Sequence, residues 1–279
     1  MLLLGVLLPT LLHAQQVSLD LSGGISNYQG DLQQKRFTTD QSRGAFGIGI
    51  RYGLGDHFDV RSNFTYARIG AADKFGTSST LKLRNLSFES KITEGNLLLD
   101  YNILSLNNHK ITPYVFAGVA IFHFNPYAYD SLGNRVYLKP LSTEGEGLAQ
   151  YPDRKSYHLT QMAIPFGAGI RWRVSESVVL SYEIGLRKTF TDYLDDVSTT
   201  YVDQGVLLAA KGAQATEMAY RGGELKNGTT YPPDGSIRGG SKFKDWYYIS
   251  GVTVSINLGS TLGRGISDRG RLSCPKKVF

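Results

Sequence analysis

The sequence offers a single cysteine, Cys274, so an internal disulfide framework is excluded; in an oxidising compartment one odd thiol points to a bond with another chain or to a free thiol. No apolar run after Ala14 approaches the ~20 residues that a membrane helix requires. Charged residues make up only 19% of the chain, and the formal charge of +6 is spread along it, which excludes the concentrated basic patch of a nucleic-acid binder. No G-x-S-x-G nucleophile turn occurs. His57, His109, His123 and His158 stand apart from one another and from Cys274, without the spacing of zinc ligands. The expectation is a chain with no catalytic residues, no cofactor and no metal. A Ser-His-Asp site assembled in space is the enzymatic alternative, since triads are defined by geometry and not by order.

What the chain does have is glycine (32), tyrosine (17) and 11% aromatics, at a mean hydropathy of −0.19. Residues 2–12 form a short apolar run, broken by Pro9 and followed by His13-Ala14 and Gln15-Gln16, which reads as a secretory signal cleaved after Ala14. The positive segment that opens such signals is missing, so a start upstream of Met1 is expected. With export predicted and no membrane helix in reach, a spanning chain has to be a closed β-barrel, the other architecture that satisfies every backbone group in lipid.

Eight segments alternate apolar and polar residues over the length of a tilted membrane strand: 17–25, 45–54, 58–68, 89–103, 112–124, 160–173, 178–188 and 246–258. In the second, Phe46, Ile48, Ile50 and Tyr52 oppose Ala45, Gly47, Gly49 and Arg51. In the sixth, Met162, Ile164, Phe166, Ala168, Ile170 and Trp172 oppose Gln161, Ala163, Gly167, Gly169 and Arg171, with Trp172 placed as an interfacial aromatic. The fifth is ambiguous, because Val115, Val119 and Ile121 compete with Phe116, Phe122 and Phe124 for the lipid face. Short connections at Gly55-Asp56, Leu106-Asn107-Asn108 and Ser175-Glu176 alternate with long ones at 26–44, 69–88, 125–159 and 189–245, as in barrels with periplasmic turns and extracellular loops. The lumen then receives Asp20, Arg51, Asp59, Arg61, Glu94, Asp100, Arg171, Glu183 and Arg187. Both signs are present, and an eight-stranded barrel is only wide enough for side chains to fill, so a self-paired plug and no diffusion channel are expected.

Asp192, Asp195, Asp196 and Asp203 follow the seventh strand and are read as solvated rim carboxylates, with a divalent cation as the alternative. The last loop is rich in turn residues (Asn227-Gly228, Pro232-Pro233, Gly239-Gly240) and is expected to need flexibility or a partner to order it. Residues 259–279 carry Arg264, Arg269, Arg271, Lys276 and Lys277 against one Asp268. They read as a basic periplasmic tail that could dock an acidic partner and lock it through Cys274 in an intermolecular disulfide.

Several motifs carry a family resemblance: Asn27-Tyr28-Gln29-Gly30-Asp31-Leu32; the block 189–198 with Asp192, Tyr193, Asp195 and Asp196, followed by Tyr201-Val202-Asp203; Asp245-Trp246-Tyr247; and Cys274-Pro275-Lys276. On these residues the chain resembles the PorG family, outer-membrane barrels of the type IX secretion and gliding-motility apparatus of Bacteroidota. The resemblance runs nearly end to end, departing at the abbreviated signal and at 205–240. It implies a non-enzymatic barrel that anchors or organises a periplasmic ring built of a lipoprotein and its partner protein. The combined expectation is an all-β, OmpA/OmpW-like, antiparallel up-and-down transmembrane barrel of about eight strands with a filled lumen. Residues 1–14 form its signal, 15–258 its barrel and 259–279 its tail, with outer-membrane lipid as a further partner. The competing class is a stand-alone surface barrel whose loops bind ligands or surfaces.

Overall fold

The computed structural model describes residues 17–33 and 38–258. The expected signal and the basic tail, with Arg264, Arg269, Arg271, Cys274, Lys276 and Lys277, lie outside the described residues.

Two-residue alternation is what a strand shows when one face meets an apolar phase and the other a polar one. The described residues form ten strands in chain order: β1 (Val17–Gln29), β2 (Arg43–Gly53), β3 (Phe58–Ala72), β4 (Ser87–Asn102), β5 (Ile111–His123), β6 (Pro126–Tyr129), β7 (Arg135–Tyr137), β8 (Thr160–Arg173), β9 (Val178–Thr189) and β10 (Trp246–Asn257). Eight of them close into one antiparallel barrel in the order β3-β2-β1-β10-β9-β8-β5-β4, with β3 paired back to β4. The closing seam runs from Phe58↔Tyr101 to Ala72↔Ser87, and the terminal strands pair from Ser18↔Asn257 to Gln29↔Trp246. Closure leaves no free edge among these eight, which is the condition for a sheet to stand in hydrocarbon. The hairpin β6–β7 extends the wall above β4 through Glu89↔Tyr127.

The outer surface is apolar. Phe46, Ile48, Ile50, Phe64, Leu97, Met162 and Ile170 are exposed on it, although a water-soluble fold would bury them. The fifth strand is decided by the structure: Val115, Val119 and Ile121 are 47%, 53% and 59% exposed, whereas Phe116 and Phe122 are 4% and 0% exposed inside the barrel. Room for the inner rings comes from glycine. A Cβ on Gly169 would lie 2.7 Å from the Tyr114 ring, and one on Gly167 2.7 Å from Phe116. An inverted barrel of this kind, apolar outside and charged within, is a bacterial outer-membrane protein. With the N-terminal end periplasmic, all long connections lie on the outer side.

Several strand limits differ from those read in the sequence. The strand expected at 17–25 continues to Gln29 and the one at 58–68 to Ala72; those expected at 45–54 and 89–103 begin two residues earlier, at Arg43 and Ser87. The segments added to β1 and β3 do not alternate. Ser26, Asn27 and Tyr28 are all buried, as are Ile69, Gly70, Ala71 and Ala72, because loops cover both faces of the wall there and remove the periodic signal.

Val119 lies opposite Leu97 near the middle of the apolar belt. Val119→Arg is expected to cost about 2–4 kcal/mol of folding free energy in lipid vesicles, measured by denaturant titration, against a small effect of Val119→Ala. Equal stability of the two variants would contradict a lipid-facing wall.

Candidate functional site

Among the described residues, the lumen and the folded outer loops are the two places that concentrate chemistry. Inside the barrel, strands on opposite walls bring their charges together. Arg61 of β3 lies 2.8 Å from Asp100 of β4 and 2.9 Å from Glu183 of β9 across the lumen. Arg171 of β8 pairs with Asp100 and, at 2.5 Å, with Asp59 of β3. Arg51 pairs with Asp20 at 2.7 Å, and Arg187 with Glu94 at 3.2 Å. All nine charges that alternation assigns to the lumen therefore meet in ion pairs. Aromatic rings complete the plug: the Arg171 guanidinium lies 3.9 Å from the Tyr114 centroid, Tyr114 donates to Glu183 at 2.5 Å, and Tyr247 donates to Glu94 at 2.6 Å. A cavity beside Asp20, Arg61 and Arg187 holds about 40 Å³, the scale of a buried water and far below a solute pathway.

Above the ion pairs, Ile69, Phe88, Ile92, Phe122, Phe124 and Tyr247 form an apolar layer that runs without a break into the outer loops. Those loops are folded. Residues 190–245 contribute Leu194, Val197, Val202, Leu207, Ala215 and Met218 to the same core and contain two short helices, α1 (Gln204–Lys211) and α2 (Ala213–Ala219). The expectation that this loop needs a partner to order it is corrected: packing of its own apolar residues onto the top of the barrel orders it.

The acidic residues after β9 are corrected as well. Asp192, Asp195 and Asp196 are 2%, 1% and 0% exposed, so they are not solvated rim residues, and Asp203 sits apart as the N-cap of α1, accepting from Val206 N–H at 2.9 Å. Among the described residues no group of three or more His, Cys, Asp or Glu is arranged to hold a metal ion. His57 instead contacts the Asn102 carbonyl at 2.8 Å, and His123 contacts Thr160 at 3.0 Å. The buried carboxylates pin the cap. Asp196 accepts from Thr143 at 2.5 Å and Tyr157 at 2.7 Å. Asp192 accepts from Ser198 Oγ at 2.7 Å. Glu144 takes the backbone N–H of Ser198 and Thr199 at 2.9 Å each and pairs with Arg238 at 3.0 Å. Arg84 clamps Asp73 at 2.7 Å and reaches the Asp31 carbonyl at 3.3 Å. Tyr193 stacks on Tyr157 with centroids 4.7 Å apart. Sequence reasoning missed Glu144, Tyr157 and Arg238, which carry no local motif and are joined only by the fold.

Three separate motifs converge on one hydroxyl. Tyr28 Oη is 2.6 Å from Asp195 Oδ2 and 3.0 Å from Asp245 Oδ1, and a Cβ on Gly30 would collide with both Tyr28 Oη and Asp245. One hydroxyl hydrogen serves one of the two carboxylates. The other contact requires a proton on a carboxyl group. Burial first, with repulsion from Asp31 on Asp195 and from Asp195 and Asp192 on Asp245, pushes both well above the usual carboxylate range. Burial likewise raises Asp192 and Asp196 to about 6, and burial beside Asp196 and Glu144 raises Glu146 to about 8.

Fold and site together define a bacterial outer-membrane barrel with an ion-paired, filled lumen and a folded cap. Residues 1–207 match the family described as a domain of unknown function, DUF6089, and the chain belongs to that family. No curated protein matches it in sequence. Similar solved structures include Ail, the attachment invasion locus protein of Yersinia pestis in complex with the heparin analogue sucrose octasulfate (11% identity, TM-score 0.41, 88% of this chain and 99% of that one). Others are the neisserial surface protein NspA (8%, 0.42, 88% and 98%) and the outer membrane protein OprG of Pseudomonas aeruginosa (11%, 0.39, 86% and 95%). The barrel assignment rests on the strand closure described above and not on these distant likenesses.

Removing Arg171 takes from Asp59 its cation and from Asp100 one of two. Arg171→Met should cost about 3–5 kcal/mol in equilibrium unfolding from lipid, and adding Asp59→Asn should recover part of it. Wild-type stability in both variants would show that the plug adds nothing. The cap carries a pH signature. Carboxyl groups with raised folded pKa bind protons more tightly in the cap than in the open loop, so the stabilisation is complete below about pH 4 and is lost as the pH rises through 6 and 8. Hydrogen exchange of 190–245, corrected for intrinsic rates, should be slower at pH 5 than at pH 8.5, with a smaller difference in Asp195→Asn. Greater protection at pH 8.5 would reverse the sign and overturn this account of the cap.

Proposed function

We propose that this barrel is a non-enzymatic outer-membrane component of a type IX protein secretion machine, where it anchors or organises the periplasmic ring formed by a lipoprotein and its partner protein. The observation that carries the reading is the filled barrel: a lumen closed by ion pairs and an apolar layer passes no solute, so the protein acts through its ends and its outer wall. The choice of machine rests on the PorG resemblance. The residues that carry it, Tyr28, Gly30, Asp31, Asp195 and Asp245, also build the cap, which gives the motif a physical reason. Contact with the ring is assigned to the periplasmic tail, where Arg264, Arg269, Arg271, Lys276 and Lys277 attract an acidic surface and Cys274 provides a thiol for an intermolecular disulfide.

A second reading, a surface barrel whose loops bind ligands, is favoured by the large apolar side chains of Leu132, Ile237 and Phe243 on the cap, 85%, 82% and 84% exposed. Deletion of 259–279 in the producing bacterium separates the two. The secretion reading predicts that export of machine substrates stops while the barrel remains inserted, and that a reducible heavier band on non-reducing gels disappears in Cys274→Ser. Continued export after tail deletion would sink the proposed docking. Loss of ligand or surface binding on exchange of 189–244 would then favour the second reading.

A further inference from the structure

The outer surface of β3 and β4 carries a feature that neither the plug nor the cap uses. Along this seam the outward rungs from Phe58↔Tyr101 to Phe64↔Gly95 are apolar apart from the small Ser62 opposite Leu97; they become amphipathic at Tyr66↔Thr93 and end in a cation pair, Arg68↔Lys91. Arg68 and Lys91 are both exposed and lie directly across the ladder, a placement in which like charges destabilise the sheet. The nearest carboxylate along the seam, Glu89 one rung above, is already engaged by Arg43 at 3.2 Å and by the Tyr127 hydroxyl at 2.9 Å. Two outward rungs below the pair, past Tyr66↔Thr93, the wall is hollowed. Gly95 has open space where a side chain would stand, and around it Ile48, Ile50, Phe64, Leu97 and Ile121 bound an apolar depression of about 700 Å³. From Gly95 to Lys91 is four residues of strand, about 13 Å. The cations thus sit at headgroup height, on the outer side, over a groove at acyl-chain depth.

We propose that this is a binding site for a phosphorylated glycolipid of the outer leaflet, with acyl chains in the groove floored by Gly95 and a phosphate bridging Arg68 and Lys91. An anion between the two cations converts their repulsion into two charge-assisted contacts, and the Tyr66 ring flanks the headgroup as interfacial aromatics do. The groove supplies the apolar contact that an exposed cation pair alone lacks. The site is independent of the secretion reading and requires only that the wall face the outer leaflet.

The test uses the full chain folded in micelles, titrated with diphosphoryl lipid A, its dephosphorylated form or phosphatidylcholine, with bound lipid counted by native mass spectrometry. The wild type should hold diphosphoryl lipid A about tenfold more tightly than the dephosphorylated form, the factor expected from charged contacts worth about 1.4 kcal/mol in all. Arg68→Gln with Lys91→Gln should abolish that preference, and Lys110→Gln at the opposite end of the barrel should leave it intact. Gly95→Leu, whose added atoms point into open space, should weaken both forms of lipid A. Equal retention of the two forms by the wild type, a preference that survives the double substitution, its loss in Lys110→Gln, or Gly95→Leu binding like wild type would each overturn the site.

Discussion

Everything in this barrel depends on keeping charge inside a wall whose outside is hydrocarbon. A guanidinium in such a lumen is tolerable only when carboxylates on facing strands neutralise it and hydrogen bonds occupy its remaining N–H groups. Arg61 and Arg171 show how the chain meets this condition, since each touches acids from two different strands. Pairs such as Arg61–Glu183 and Arg171–Asp59 run across the lumen, so they also fix the barrel's register: a slip of one residue would turn every one of these charges into lipid.

Much of this was legible in the sequence because a two-sided environment writes a two-residue period. Strands β8 and β9 could be placed nearly to the residue, since Met162 to Trp172 and Val178 to Leu186 alternate cleanly between lipid and lumen. The fifth strand was placed as closely, at 112–124 against Ile111–His123, but its facing was not legible, because Phe116, Phe122 and Phe124 face inward beside apolar Val115, Val119 and Ile121; an apolar residue inside and one outside look alike in a pattern. The decision comes from partners in space, Arg61 over Phe116 and Tyr247 against Phe122.

The cap was the least legible part for a related reason. Above the membrane both faces of the wall and both sides of the loops are covered, so no period survives, and turn-forming residues suggested disorder where a core exists. Its buried acids were equally opaque. Asp192, Asp195 and Asp196 read as solvent-facing because carboxylates usually are, and only the fold supplies the hydroxyls and N–H groups that accept them in the interior: Tyr28, Tyr157, Ser198 and the backbone at Val197. The motif residues could be recognised as a set from sequence. Their common purpose, holding loops onto the mouth of a plugged barrel, becomes visible when Tyr28, Asp195 and Asp245 are seen to meet.

The chain contains two tryptophans, and they mark the two edges of the apolar belt: Trp172 at the turn end of β8, and Trp246 at the loop end of β10 with its ring edge against Phe166. Register places Trp246 beside Lys188 and, one strand further, Ile164, which lies eight residues from Trp172 along β8 or about 20 Å of height in a tilted strand, the scale of the apolar band of an outer-membrane barrel. Depth-dependent quenching of single-tryptophan variants in vesicles of brominated lipid tests the inside-out wall most directly. Both tryptophans should be quenched by bromines near the interface and shielded from aqueous iodide. Iodide quenching of both without any response to brominated chains would show that the outer wall faces water, and the barrel described here would be wrong.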